Sequence, residues 1–167
     1  MDQAAFRSFY SKTAPALRSY ISRVSGSIDA ADDVLQETFM RFLVKAPPGL
    51  TEAAMRGYLY RTAESLIVER WRRLSREQKR DALAHLQTQE SRDPQVDDEI
   101  HQALARLKPQ QRTLLWLAYV EEFDHREIAA VTGIKEKSVR VLLFRARQTL
   151  ARILTRAGFG PEVVNAK

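Results

Sequence analysis

Arg56, Arg61, Arg70, Arg72, Arg73, Arg76, Lys79 and Arg80 crowd one stretch of the chain against only Glu64, Glu69 and Glu77, with Tyr58, Tyr60 and Trp71 set among them. This mixture suits single-stranded nucleic acid, because phosphates need cations and unstacked bases need π-faces to lie on. The same residues also fit a plainer role, as core-boundary aromatics beside a solvated arginine rim. A second basic run, Lys137, Arg140, Arg145, Arg147, Arg152 and Arg156, contains no acid from its first member to its last. A third group has the opposite sign. Asp33, Gln36, Glu37 and Met40 fall on the side of a helix that its apolar stripe leaves free, which makes them either a binding surface or an ordinary solvated face. Catalysis has no comparable constellation: His85, His101 and His125 sit far apart with no partner motif, and there is no cysteine. No catalytic residue, metal or cofactor is expected.

The charge balance points the same way. The chain of 167 residues carries a formal net charge of +6, a balance that favours polyanionic partners. The absence of cysteine fits a reducing cytoplasm. No stretch approaches the roughly 20 apolar residues that span a bilayer, and the first ten residues lack an apolar leader core. A soluble, cytoplasmic chain without membrane insertion is therefore expected.

The elements that must position these groups are helices. The fold class expected is all-α: two small helical domains joined by an acidic flexible linker, the second containing a helix-turn-helix. The domains are placed at 1–80 and 100–157, the linker at 81–99 and a tail at 158–167. In the first domain Phe6, Phe9, Tyr10, Leu17, Ile21 and Val24 form one stripe, with Pro15 expected to kink or restart the helix. Asp29 is expected to cap the next helix, whose Ala31, Val34, Leu35, Thr38, Phe39 and Phe42 face inward. After a turn at Lys45–Gly49, Met55, Leu59, Ala63, Leu66, Ile67 and Leu74 mark a long helix, and Arg61, Ser65, Val68, Arg72 and Arg76 lie on its other side. In the second domain Ile100, Leu104 and Leu107 precede a helix opened by Pro109. Asp124-His125-Arg126-Glu127 has the form of a capping box. Gly133 supplies a left-handed turn, and a basic helix follows from Glu136 with Val139, Leu143, Ala146 and Leu150 inward. That places Lys137, Val141, Phe144 and Gln148 outward. Helix, glycine turn and basic helix is the pattern whose second helix enters the DNA major groove.

Over nearly its whole length the sequence resembles the extracytoplasmic function sigma factors, the smallest members of the sigma-70 family. Asp29-Ala30-Ala31-Asp32-Asp33-Val34-Leu35-Gln36-Glu37-Thr38-Phe39 is similar to that family's core-polymerase-binding segment. Gly57-Tyr58-Leu59-Tyr60-Arg61-Thr62-Ala63 with Arg72-Arg73 resembles the segment that melts and reads the promoter −10 element. Leu107-Lys108-Pro109-Gln110-Gln111-Arg112 through Arg145-Ala146-Arg147 resembles the domain that reads the −35 element. The resemblance implies that Asp32, Asp33, Gln36, Glu37 and Met40 meet the β′ clamp helices of RNA polymerase core. It implies −10 contacts from Tyr58, Tyr60, Arg61, Ser65, Arg72, Arg73 and Arg76, and −35 contacts from Lys137, Ser138, Arg140, Val141, Phe144 and Arg145. The expected partners are polymerase core, promoter DNA and an anti-sigma factor. The alternative is a sigma-like decoy that sequesters an anti-sigma factor, and a helix-turn-helix repressor would leave the first domain without a purpose.

Departures from the family pattern fall on functional positions. Ser65 stands where the family commonly has Asn, and Glu69 where it has Asp. Lys135 replaces the usual Ser cap of the recognition helix. Arg140-Val141-Leu142-Leu143-Phe144 replaces a Lys-Ser-Arg-Leu-Ser run, which removes one phosphate-binding arginine.

Overall fold

A computed structural model describes residues 2–26, 29–81 and 102–159, and every regular element among them is helical. Helix α1 (Gln3–Ser25) starts where the Asp2 carboxylate accepts the Ala5 backbone N–H at 2.7 Å. It stops at Gly26, whose φ of 72° is left-handed and whose N–H reaches the Ser22 carbonyl. Pro15 lies inside the helix, which runs through it without the restart that was one of the two expected outcomes. A mid-helix proline costs about 3 kcal/mol. Leu17, Tyr20 and Ile21 just beyond it are fully buried, and burial of such side chains contributes roughly 1.5–3 kcal/mol each. Packing therefore outweighs the lost backbone bond.

Helix α2 (Asp29–Lys45) buries all six residues of its expected stripe, and the Thr38 hydroxyl meets its own need by donating to the Val34 carbonyl at 2.7 Å. The helix begins at Asp29 itself, so its cap lies outside the described residues. Helix α3 (Glu52–Asp81) packs Leu59, Ala63 and Ile67 against both. Aromatic pairs tie the three together: Phe9 with Phe42, Tyr10 with Phe39, and Phe42 with Tyr58. Leu74, expected in the stripe, is exposed. With a 1.5 Å rise per residue, α3 runs about 45 Å against about 26 Å for α2, so its last turns outreach their neighbours. It also runs one residue into the segment expected to be linker. The rest of that acidic segment, with His85, Ile100 and His101, lies outside the described residues, as do residues 160–167 of the expected tail.

After a short helical turn at 102–105 come α4 (Pro109–Tyr119), α5 (His125–Thr132) and α6 (Glu136–Arg156). The expected capping box is present in both directions: Glu127 N–H donates to Asp124 Oδ1 at 2.8 Å and Asp124 N–H to Glu127 Oε2 at 2.9 Å. Gly133 turns the chain into α6 with a φ of 73°. Val139, Leu143 and Ala146 are buried and Leu150 is half-buried.

The two helical units expected from the sequence share one continuous core. Leu114, Leu117, Phe123, Ile128, Val131, Val139 and Leu143 belong to the same apolar cluster as Leu17, Tyr20, Leu59, Tyr60 and Ile67. A smaller cluster, Leu107, Leu115 and Ala146, closes the far side of the second unit. Periodicity showed which face of each helix is apolar; it could not show that α4 and α5 pack on α1 and α3.

Candidate functional site

Three surfaces survive the packing. On α2, Asp33, Gln36 and Met40 are exposed and Glu37 is half-buried, where it accepts from Arg41 Nε at 2.7 Å. Asp32 is otherwise engaged. Its two carboxylate oxygens accept from Arg18 Nε and Nη2 of α1 at 2.6 and 3.0 Å, and that hydrogen bonding holds its carboxyl below the usual range. Asp32 is thus already paired within the chain. Sequence reasoning missed the apolar continuation of this face, where Met40 is 55% exposed and is followed by exposed Leu43 and Val44. Their i, i+3, i+4 spacing off the buried stripe was the available signal. Together these residues offer an acidic patch beside an apolar row.

On α3, Arg61, Ser65, Arg72, Arg73 and Arg76 are all exposed. At 100° per residue, Arg61, Ser65, Arg72 and Arg76 fall within a narrow arc, and they extend along about 22 Å of helix. The Ser65 hydroxyl donates to the Arg61 carbonyl at 3.0 Å. With its proton so engaged, it presents lone pairs outward and can accept from a base edge. Trp71 is 47% exposed beside this track, and Tyr58 is half-buried against Phe42.

Tyr60 corrects the sequence reading. It is 1% exposed, packed 5.0 Å from the Tyr20 ring and 5.4 Å from Phe123 of the second unit. Among the described residues its hydroxyl makes no hydrogen bond, and burial, followed by the nearby Glu121 carboxylate, pushes its phenol well up from the ordinary tyrosine value. While the two units stay together Tyr60 is a core residue and no platform for a base. Trp71 has the exposure that role needs.

On α6, Lys137, Arg140, Val141, Phe144 and Arg145 are exposed and Ser138 is half-buried. Val141 and Phe144, at 49% and 52% exposure, stand as two apolar groups in a basic rim. The helix opens on Lys135 without a side-chain cap. Lys135→Ser should supply the missing acceptor and add about 1 kcal/mol. A thermal melt should show the midpoint rising by about 2–4 °C. His125 is an exposed first-turn residue of α5. Among the described residues no three His, Cys, Asp or Glu side chains gather as a metal would require.

Two family descriptions match the two halves of the chain: sigma-70 region 2 over residues 9–77 and sigma-70 region 4 over residues 97–150. The chain belongs to the sigma-70 family. Its curated relatives place it in the extracytoplasmic function group of alternative sigma factors. The sigma factor EcfG of Rhodopseudomonas palustris is 28% identical over 89% of this chain and 86% of its own length. SigF of Caulobacter vibrioides is 28% identical over 93% and 89%. Among solved structures, the sigma factor RpoE of Bartonella quintana, in complex with the anti-sigma factor NepR, superposes with a TM-score of 0.74 at 22% identity. That match covers 90% of this chain and 97% of that one, and it bears on the fold. Region 2 thus comprises α1 to α3, and region 4 carries α4 to α6. Among the described residues, no helix of this sigma factor is long and apolar enough to cross a membrane.

Proposed function

We propose that α2 docks this sigma factor on RNA polymerase core through Asp33, Gln36, Glu37 and Met40, that the α3 track holds the opened −10 strand, and that α6 reads the −35 duplex. The observation that carries this reading is the coexistence on one chain of an acidic-apolar face and two basic faces, all exposed and on separate helices. Asp33 and Glu37 complement a basic helical partner, and Met40, Leu43 and Val44 add apolar area beside them. Arg61, Arg72 and Arg76 supply phosphate contacts, and Ser65 a base-edge acceptor. On α6 the arginines and Lys137 fix the register on phosphates, while Val141 or Phe144 can meet thymine methyl groups. The protein has no enzymatic chemistry of its own and acts in the cytoplasm, where polymerase and chromosome are.

An anti-sigma factor is the regulator this architecture suits. RpoE of Bartonella quintana, which shares the fold, was solved with one. Here the apolar pair Val141 and Phe144 within a basic rim is the kind of centre on which a protein inhibitor can anchor. The sigma-like decoy remains the second reading, favoured by the altered recognition helix. The anti-anti-sigma factor PhyR, solved with NepR, shares the fold with a TM-score of 0.56, over 49% of its chain.

Run-off transcription with purified polymerase core and a library of genomic fragments tests the assignment: an initiator yields discrete transcripts, a decoy none. Charge reversal of Asp33 and Glu37 to lysine should weaken core capture by about tenfold. The melting point should fall only slightly, since Asp33 is exposed and the Glu37–Arg41 pair that is lost is a partly exposed i, i+4 ion pair of about 0.3–0.5 kcal/mol. Unchanged capture in a pull-down would remove α2 from the interface.

A further inference from the structure

All the sulfur in this chain is thioether. It has three methionines and no cysteine, so a two-electron oxidant finds no thiol to take its oxygen. Met55 is half-buried against the core of the first unit, and Met1 lies outside the described residues. Met40 of α2, by contrast, is 55% exposed. Among the described residues it is the sulfur that a dissolved oxidant reaches most readily.

Its place on α2 gives that exposure a consequence. At 100° per residue, Asp33, Gln36 and Glu37 lie within about 60° of Met40 toward the start of the helix, and Leu43 and Val44 within about 60° toward its end. Leu43 and Val44 are more exposed still, at 61% and 78%. The thioether therefore stands where the acidic patch meets the apolar row. As a thioether it is apolar, flexible and polarizable, and it adapts to an irregular partner surface. As a sulfoxide it is polar, and its oxygen needs a donor. Water supplies one while the face is free. Of the five side chains around it only Gln36 carries a donor once the carboxylates are ionised. Beneath a docked partner the oxygen is then left buried and short of a hydrogen bond, which weakens a complex by about tenfold or more.

We propose that Met40 is an oxidation site at which a hydroperoxide switches off the docking of α2 on polymerase core. The proposal rests on the docking assigned to α2 above. In the step itself the sulfur attacks one peroxide oxygen: an S–O bond forms, the O–O bond breaks, and the second oxygen leaves as water with both protons of hydrogen peroxide. Sulfur loses two electrons and the peroxide gains them. The product is reversible, because methionine sulfoxide reductases return it to the thioether at the expense of a thiol reductant. A docked partner covers the sulfur, so the pool exposed to peroxide is the chain not bound to core.

The test oxidises the full chain with hydrogen peroxide, removes the oxidant, and follows oxygen uptake at each methionine by peptide mass spectrometry beside capture on purified core. Met40 should take up oxygen before Met55, and capture should fall by about tenfold as its sulfoxide accumulates, with helix content unchanged by circular dichroism. Reductase treatment should restore it. The Met55→Leu chain should lose capture on oxidation as the native chain does. The Met40→Leu chain, whatever its own starting affinity, should show the same capture before and after peroxide. Chain already bound to core should take up oxygen at Met40 more slowly than free chain. Native capture by a chain fully converted at Met40 overturns the proposal, as does equal loss of capture by the Met40→Leu chain. Charge reversal at Asp33 and Glu37 separates the two levels: if it too leaves capture unchanged, the docking face is wrong, and if it weakens capture, only the oxidation response is.

Discussion

Replacing Arg61 and Arg72 together by glutamine should weaken the open promoter complex by about a hundredfold near physiological salt and leave core capture intact. Both guanidinium groups are exposed on one face of α3, and neither is held by a carboxylate among the described ion pairs. They are therefore available to phosphates. A hydrogen bond involving a charged group contributes about 1.5–3 kcal/mol when well formed, and solvent exposure puts two such contacts near the lower end, at about 2–3 kcal/mol together. The salt dependence separates this from a folding defect. Each phosphate contact on a single strand adds about 0.7 to the slope of log affinity against log salt, so the double variant should lose about 1.4. Filter binding or anisotropy between about 50 and 200 mM salt measures it. An unchanged slope with weakened binding would mean that the arginines act through structure rather than phosphate.

The same helix shows what can and cannot be read from sequence. Arg61, Ser65, Arg72 and Arg76 were legible because they depend only on the helical repeat and on facing away from the stripe. The α2 stripe and the Asp124–Glu127 box were legible for the same reason: each is decided within four residues. Tyr60 was misread because its neighbours Tyr20 and Phe123 lie far away in the chain. An aromatic among arginines looks like a base platform until the second unit covers it. Leu74 was misread in the opposite sense, since an apolar residue in register is buried only where a partner helix still runs alongside. Asp32 looked as free as Asp33, and Arg18 on α1 distinguishes them.

Glu64 was the least legible residue, and it carries the last prediction. In the sequence it is one of three acids in a basic stretch; in the fold it is a buried carboxylate whose partners are two hydroxyls. Among the described residues the groups facing it are Tyr20 of α1 and Thr113 of α4, and no cation there contributes to its titration. Burial therefore raises its pKa above the ordinary carboxylate value, and the two hydroxyl donors only partly oppose that. Tyr20 is itself pushed up by burial and by Glu64, so it keeps its proton and remains a donor throughout the accessible range. The sign follows directly. A carboxyl that binds its proton more tightly folded than unfolded favours the native state most below the unfolded value. That advantage is lost as pH rises through the interval up to the folded pKa, and the penalty stays constant above it. Glu64→Gln removes the charge and keeps an oxygen for both hydroxyls. Its melting point should therefore exceed the native protein's by an amount that is smallest near pH 4.5 and grows as pH rises, levelling off once the native carboxyl is ionised. Every other titrating group, including the oppositely shifted Asp32, is common to both proteins and cancels in the difference. Paired thermal melts from about pH 4.5 to 8 give that difference directly. A difference that is flat with pH, or that shrinks as pH rises, would show that the carboxylate is compensated at the seam and that its burial does not disfavour the ionised form.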